Sequence, residues 1–312
     1  MTDAYRNFLD LAEIPAGDLK GIIAESRSRK EARAGMPKGM VDEDRPLDGR
    51  ILAMVFDKPS TRTRVSFDVG IRQLGGSSIV LNGGDIQIER GETRYDTGRV
   101  LSGFTDAIMY RTHDQAFLDE MASGATVPVI NGLSDASHPC QLMADVLTLE
   151  EQRGPVAEQT VTWVGDGNNM AYTWVQGAAL FGYKLRVSTP DELSVDPSVL
   201  KWAADHGADV VVTEDPQAAV EGTDCVVADC WVSMGDKDAA HRHNMLQPYQ
   251  VDDKMMSLAA KDAVFMHCLP AHRGEEVTAD VIDGPQSIVF PQAENRLHAQ
   301  KGVLNWCLKA LT

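Results

Sequence analysis

Residues 51–67 read ILAMVFDKPSTRTRVSF. The first six are apolar without interruption, the length and character of a strand buried on both faces. Pro59 forces an extended bend three residues later. Either Ser60 or Thr61 is suited to cap the helix that the spacing predicts over 63–74. The stretch is therefore a strand, a tight turn and a helix N-terminus, the opening of a βα unit. Such a terminus presents unpaired N–H groups and a partial positive charge, which suit an anion. Ser60, Thr61 and Thr63 add hydroxyl donors, and Arg62 and Arg64 add planar forks that match phosphate oxygens. A lone hydroxyl–arginine pair would read as a capped helix with surface cations. Five such residues in one turn after a strand point to an anion site.

The same rhythm continues outward. Short apolar runs at 77–81, 107–111 and 127–131 alternate with helical patterns such as 63–74 and 95–103. A second alternation carries strands at 160–164, 184–188, 209–213, 225–229 and 263–267. Apolar runs separated by amphipathic stretches specify βαβ units. The expected fold class is α/β: two doubly wound domains, each a mainly parallel sheet flanked by helices, joined by interdomain helices. The amphipathic stretch HPCQLMADVLTLEEQRG, 138–154, followed by Pro155, is read as the connector. The expected domains are 1–147 and 148–293. The last stretch, 294–312, has apolar residues mostly at helical spacing and on pattern alone could pack on either half.

With 312 residues, 43% hydrophobic and 24% charged, the chain has the composition of a soluble globular protein. The net charge of -17 repels polyanions, so neither nucleic acid nor a membrane is an expected partner. No apolar run approaches the length of a transmembrane helix, and the N-terminus lacks the basic and apolar regions of a secretory signal, so a cytoplasmic location is expected. The five cysteines are odd in number and contain no C-x-x-C pair, which argues against a disulfide framework. A zinc set of Cys225, Cys230, His241 and His243 fits no ligand spacing, and no metal is expected.

Four short motifs lie in order along the chain: STRTR at 60–64, HPCQ at 138–141, DCWVSMG at 229–235 and HCLP at 267–270. In that order and at those separations they resemble the transcarbamylase family, in its ornithine-accepting branch, over essentially the whole chain. The resemblance implies transfer of a carbamoyl group from carbamoyl phosphate to the side-chain amine of L-ornithine, giving L-citrulline and phosphate. It implies no cofactor, a role in arginine metabolism with biosynthesis preferred, and a homotrimer with shared active sites.

The chemistry asks for a grip on a dianionic phosphate, a polarised carbonyl, a hold on the carbamoyl nitrogen, and donors for a tetrahedral oxyanion. By resemblance, Ser60, Thr61, Arg62 and Thr63 hold the phosphate and Arg111 bridges phosphate and carbonyl. His138 donates to the carbonyl oxygen, and Gln141 binds the carbamoyl nitrogen. Gln87 reaches the neighbouring subunit's phosphate site, and Arg296 returns from the last helix to the carbamoyl site, which places that helix on the first domain. Without the family match, Arg111 would read as a strand-end surface charge, His138 as a capping turn and Gln87 as an exposed loop residue. In the second half the resemblance gives Asn169, Asp229, Ser233 and Met234 to ornithine. It places Cys268, partnered by Asp229, near the reacting amine and the carbonyl oxygen, with the Leu269 carbonyl accepting from the carbamoyl nitrogen. A buried cysteine is otherwise more often a small core residue. A covalent thiol intermediate is not expected, because the phosphate leaving group already activates the donor.

Three rival readings are weaker. VGDGNNM at 164–170 gives G-x-G after a strand, as in nicotinamide-dependent dehydrogenases, but Met170 stands where that fingerprint needs a small residue. A non-catalytic phosphate-binding module would not need candidate residues from both halves. Within the family, acceptors such as putrescine or acylated ornithine go with a departure from the SMG loop that this chain keeps.

Overall fold

The computed structural model describes residues 6–232 and 239–309. The chain divides into two compact units, Met1–Leu147 with Asn295–Thr312, and Thr148–Glu294.

The first unit is built on strands β1 (Ile51–Phe56), β2 (Ser77–Asn82), β3 (Ala107–Arg111) and β4 (Val129–Leu133), all parallel in the order β2-β1-β3-β4. Its helices are α1 (Ala16–Ala32), α2 (Thr61–Gln73), α3 (Arg94–Leu101) and α4 (Gln115–Gly124). Helix α5 (Pro139–Arg153) begins in this unit. Ala53, Val55, Ile108, Tyr110 and Val129 from the sheet pack with Leu118 and Met121 of α4 into one buried cluster. Full burial of each large apolar side chain is worth about 1.5–3 kcal/mol, which is why the uninterrupted run 51–56 becomes the central strand.

The second unit has five parallel strands, β5 (Thr160–Val164), β6 (Lys184–Ser188), β7 (Val210–Thr213), β8 (Cys225–Ala228) and β9 (Val264–His267), in the order β7-β6-β5-β8-β9. Its helices are α6 (Asn169–Phe181), α7 (Pro197–Asp205), α8 (Pro216–Val220), α9 (Ala239–Leu246), α10 (Asp253–Met256) and α11 (Ala279–Ile282). Val226, Ala228 and Phe265 of the sheet pack with Trp231, Leu246, Val251, Val281 and Ile282. The last helix, α12 (Val289–Lys309), enters the first unit at Asn295. There its buried Lys301 pairs with Asp42 at 2.7 Å and donates to Gln73 Oε1 at 3.1 Å.

In both sheets the winding direction reverses, between β1 and β3 in the first unit and between β5 and β8 in the second. The crevice beyond the carboxyl ends of such strands is where open α/β sheets bind ligands.

Most element boundaries differ from the sequence reading by a residue or two, and three of the differences have a clear physical cause. Helix α2 starts at Thr61 rather than 63, because Ser60 takes the capping position and leaves both hydroxyl neighbours inside the first turn. The fourth strand starts at Val129 rather than 127: Pro128 has no N–H for the ladder, though its carbonyl accepts from Ile108 N–H at 2.9 Å. Helix α12 starts at Val289 rather than 294, because Pro291 falls in its first turn, where N–H groups have no intrahelical partner to lose.

Candidate active site

In the first unit the site grows from the switch point between β1 and β3. Ser60 caps α2 with its Oγ accepting from Thr63 N–H at 3.3 Å. Thr63 is buried, and its hydroxyl is where two arginines meet. Arg111, the last residue of β3, brings Nη1 to 3.5 Å from Thr63 Oγ1, and Arg296 donates to the same oxygen from Nη2 at 3.1 Å. The other branch of Arg296 donates from Nη1 to Gln141 Oε1 at 2.6 Å. Gln141 Nε2 in turn donates to Asp145 Oδ1, one helical turn along α5, at 2.8 Å. That last bond fixes the amide's orientation, amide nitrogen to Asp145 and oxygen to Arg296. Arg62 is half-buried beside this group, whereas Arg64 is exposed on the outer face of α2.

His138 stands just before α5 and is buried. Burial, then the positive charges of Arg296, Arg111 and Arg62, hold its imidazole well below the usual histidine range. It is therefore neutral at pH 7, with one ring N–H to donate, and adds no fourth charge to three guanidinium groups. Cys140, from the same HPCQ stretch, is fully buried; desolvation pushes its thiol up to about 12, the signature of a core residue. Gln87 lies in a short 3₁₀ turn, Gln87–Arg90, and is exposed.

One polar network here was not legible in the sequence. Asp57, directly after β1, accepts on Oδ2 from Tyr110 Oη at 2.5 Å and from Thr112 Oγ1 at 2.6 Å, and Arg94 Nε donates to Tyr110 Oη at 3.1 Å. Burial first, and then Asp57, push the Tyr110 phenol up to about 12. The network ties the ends of β1 and β3 together on either side of Arg111. The only signal for it was an acidic residue at a strand end.

The second unit shows a matching arrangement at its own switch point. Asn168 caps α6, its Oδ1 accepting from Met170 N–H at 2.8 Å and Ala171 N–H at 3.2 Å. Its Nδ2 donates to Asp229 Oδ2 at 3.0 Å. Asp229, directly after β8, takes the Cys268 thiol on Oδ1 at 3.1 Å. Asn169 is the first residue of α6. His267, the last residue of β9, is buried and accepts on Nδ1 from Leu269 N–H at 2.9 Å. Leu269 holds φ at 58° and is followed by a cis bond to Pro270. A branched side chain in the left-handed region is strained, a state that concentrates at functional sites. Ser233 and Met234 lie outside the described residues.

Residues 6–151 match the family described as aspartate/ornithine carbamoyltransferase, carbamoyl-P binding domain. Residues 157–307 match the same family's Asp/Orn binding domain. The chain belongs to the aspartate/ornithine carbamoyltransferase family.

Within this carbamoyltransferase family the chain is similar over its length to proteins named ornithine carbamoyltransferase. It is 57% identical to the one from Rhodopseudomonas palustris, over 98% of this chain and 97% of that protein. It is 56% identical to the one from Nitrobacter winogradskyi, over 99% of each. Among solved structures, the ornithine carbamoyltransferase from Pyrococcus furiosus superposes with a TM-score of 0.92 at 45% identity, covering 99% of each chain. That from Burkholderia thailandensis gives 0.88 at 42% identity, covering 98% of this chain and 100% of that one.

The G-x-G that suggested a dinucleotide site has another cause in this carbamoyltransferase chain. A Cβ on Gly167 would sit 2.4 Å from the Leu193 carbonyl oxygen and 2.6 Å from the Ser194 carbonyl carbon, so close backbone packing alone requires glycine. Met170, at the position where the fingerprint needs a small residue, is buried.

Proposed function

We propose that the chain transfers the carbamoyl group of carbamoyl phosphate to the side-chain amine of L-ornithine, releasing L-citrulline and phosphate. The observation that carries this reading is the hydrogen-bonded junction of Thr63, Arg296 and Gln141 beside the neutral His138. It offers cationic forks for a phosphate, an amide oxygen for an N–H, and an uncharged donor for a carbonyl, in one buried cluster. Few ligands other than a carbamoylated phosphate ask for all three.

In this reading the N-terminus of α2, with Ser60, Thr61, Arg62 and Thr63, holds the phosphate, and Arg111 spans phosphate and carbonyl oxygens. His138 and Arg111 donate to the carbonyl oxygen, where negative charge builds as the amine attacks. Gln141 Oε1 has two lone pairs and gives one to Arg296, leaving the other for the carbamoyl nitrogen. The Leu269 carbonyl accepts from the same nitrogen, a role that fits the strained backbone there. Asn169, Asp229, Ser233 and Met234 hold the amino acid. Asp229, braced by Asn168, keeps Cys268 as a thiol donor rather than a nucleophile.

The step needs no carrier. The deprotonated amine nitrogen forms a bond to the carbonyl carbon, the carbon–oxygen bond to phosphate breaks, and the amine's second proton leaves with the solvent or the phosphate. Orientation and positioned donors supply the main terms.

The reading includes a cytoplasmic homotrimer in arginine biosynthesis, with Gln87 reaching a neighbouring copy's phosphate. The exposed position of Gln87, and the exposed apolar side chains of Val65, Tyr95, Val100 and Phe104 in the same unit, support a contact between copies. Citrulline and phosphate formation from purified protein tests the activity, with ornithine, putrescine and N-acetylornithine compared as acceptors. Ornithine giving the highest kcat/KM is expected; folded protein that forms no citrulline, or prefers putrescine, defeats the reading.

A further inference from the structure

A second cluster of ligating side chains in the ornithine-side unit takes no part in the proposed transfer. It is formed by His243 of α9 and by His272, Glu275 and Glu276 of the stretch HRGEE, 272–276. The ligating atoms of His272, Glu275 and Glu276 lie within 4.8 Å of one another. His243 Nε2 borders this group of three through Glu275, 2.8 Å from its Oε2. His272 Nδ1 is 3.7 Å from Glu276 Oε2 and 4.0 Å from Glu275 Oε2. Ligand atoms on a tetrahedral zinc, each at roughly 2.0–2.1 Å, stand about 3.3 Å apart, within the range these distances span.

Two observations separate this cluster from a chance meeting of surface charges. Glu276 is fully buried; its Oε1 accepts from His272 N–H at 2.6 Å, but its Oε2, facing the His272 ring, has no hydrogen-bond partner. A buried carboxylate oxygen left so carries a desolvation cost that a cation would remove. His243 Nδ1 lies 2.7 Å from the Ala239 carbonyl oxygen. That carbonyl accepts from Nδ1, the second-sphere pattern that orients histidine ligands on metals, while Nε2 donates to Glu275 and would give up that proton on binding a cation. The half-exposed side chains of His272, Glu275 and His243 leave the cluster open to ions from solution.

We propose that His243, His272, Glu275 and Glu276 form a binding site for a first-row divalent cation, for which two imidazoles and two carboxylates best match Zn²⁺. It is distinct from the Asp229–His267–Cys268 group at the amine site, although His267 Nε2 approaches Glu276 Oε1 at 3.3 Å.

The test is isothermal titration calorimetry of the full chain with ZnCl2 in a non-chelating buffer. Three proteins are compared: the unaltered chain, Cys268→Ser, and His243→Ala/His272→Ala, each checked by circular dichroism and thermal melting. Cys268→Ser is expected to keep one site per chain with affinity within about threefold of the unaltered protein. The double variant, altered only at surface-reaching side chains, is expected to bind at least about 10-fold more weakly. Absence of binding to the unaltered chain, loss of the site in Cys268→Ser, or unchanged affinity in the double variant overturns the proposal.

Discussion

Arg296 donates to Gln141 Oε1 at 2.6 Å across 155 positions of sequence. The same guanidinium reaches Thr63 Oγ1, so one side chain joins the last helix, the start of α5 and the first turn of α2. Arg296→Met keeps the bulk and removes the fork. Losing a positioned donor of this kind costs about 10²–10³ in rate, so kcat/KM for carbamoyl phosphate is predicted to fall by that order. Steady-state kinetics with each substrate varied should show a much smaller change in KM for ornithine; an equal rise in both would mean general disruption instead.

Asp145 acts one step further back. Its carboxylate accepts from the Gln141 amide nitrogen and so decides which end of that amide faces Arg296. Asp145→Ala is predicted to lower kcat/KM for carbamoyl phosphate about 10-fold, the loss of roughly one hydrogen bond's worth of orientation. The change should appear mainly in KM for that substrate. Unaltered kinetics in a folded variant would remove Asp145 from the account.

His138 makes a prediction about pH and stability. Its folded-state pKa is depressed, by burial first and by Arg296, Arg111 and Arg62 next. Between that value and about 6.5 the unfolded chain binds a proton that the folded chain does not, so stability falls as pH drops below about 6.5, by up to about 1.4 kcal/mol per pH unit. Above that range the group contributes no slope. Urea denaturation of the unaltered protein and His138→Asn at pH 7.5, 6.5 and 5.5 should show the stability difference shrinking as pH falls. Parallel pH dependences would contradict a neutral, buried His138.

The Asp229–Cys268 contact separates an orienting thiol from a nucleophilic one. If the thiol only orients, Cys268→Ser keeps a hydroxyl donor to Asp229 and loses about 10-fold or less in kcat. A covalent carrier would lose several orders of magnitude, with burst kinetics in the unaltered enzyme. Independently of the thiol, kcat/KM for ornithine is predicted to rise toward alkaline pH, because an amine with a pKa near ~10.4 must lose a proton to attack.

Gln87 tests the sharing of sites. Gln87→Ala and Arg111→Ala are each predicted to be nearly inactive alone. If the proposed trimer forms, the two refolded together should recover a measurable fraction of activity, since some mixed trimers would carry an intact Arg111 in one copy and an intact Gln87 in its neighbour. No recovery from assembled mixed trimers would confine each site to one chain.

Much of this was legible in the sequence, for a physical reason. Runs such as 51–56 and 225–228 are buried on both faces of parallel sheets, so they stay apolar throughout and mark the strands. The hydroxyl and arginine cluster that follows β1 marks Ser60 from the residues alone, whereas Arg111, Asp229 and Cys268, at or just after the ends of β3, β8 and β9, are assigned through the family resemblance. Proline confused the boundaries at Pro128 and Pro291, where only the ladder and the helix's first turn decide whether its missing N–H matters. Asn168, Asp145 and Asp57 were not legible as site residues because they act through partners distant in sequence, on Asp229, Gln141 and Tyr110. Asn168 and Asn169 are both polar after the same strand. Only the capping geometry separates the one that braces Asp229 from its neighbour at the first position of α6.

The map is tested most directly by a crystal structure of the protein with a bisubstrate mimic that joins a phosphonate, a carbamoyl-like amide and an ornithine arm. The account predicts the phosphonate at the N-terminus of α2, within hydrogen-bond reach of Ser60, Thr61, Arg62, Thr63 and Arg111, with the amide oxygen at His138 and the amide nitrogen at Gln141. A phosphonate bound elsewhere, or an amide turned so that its oxygen meets Gln141 and its nitrogen His138, would contradict it.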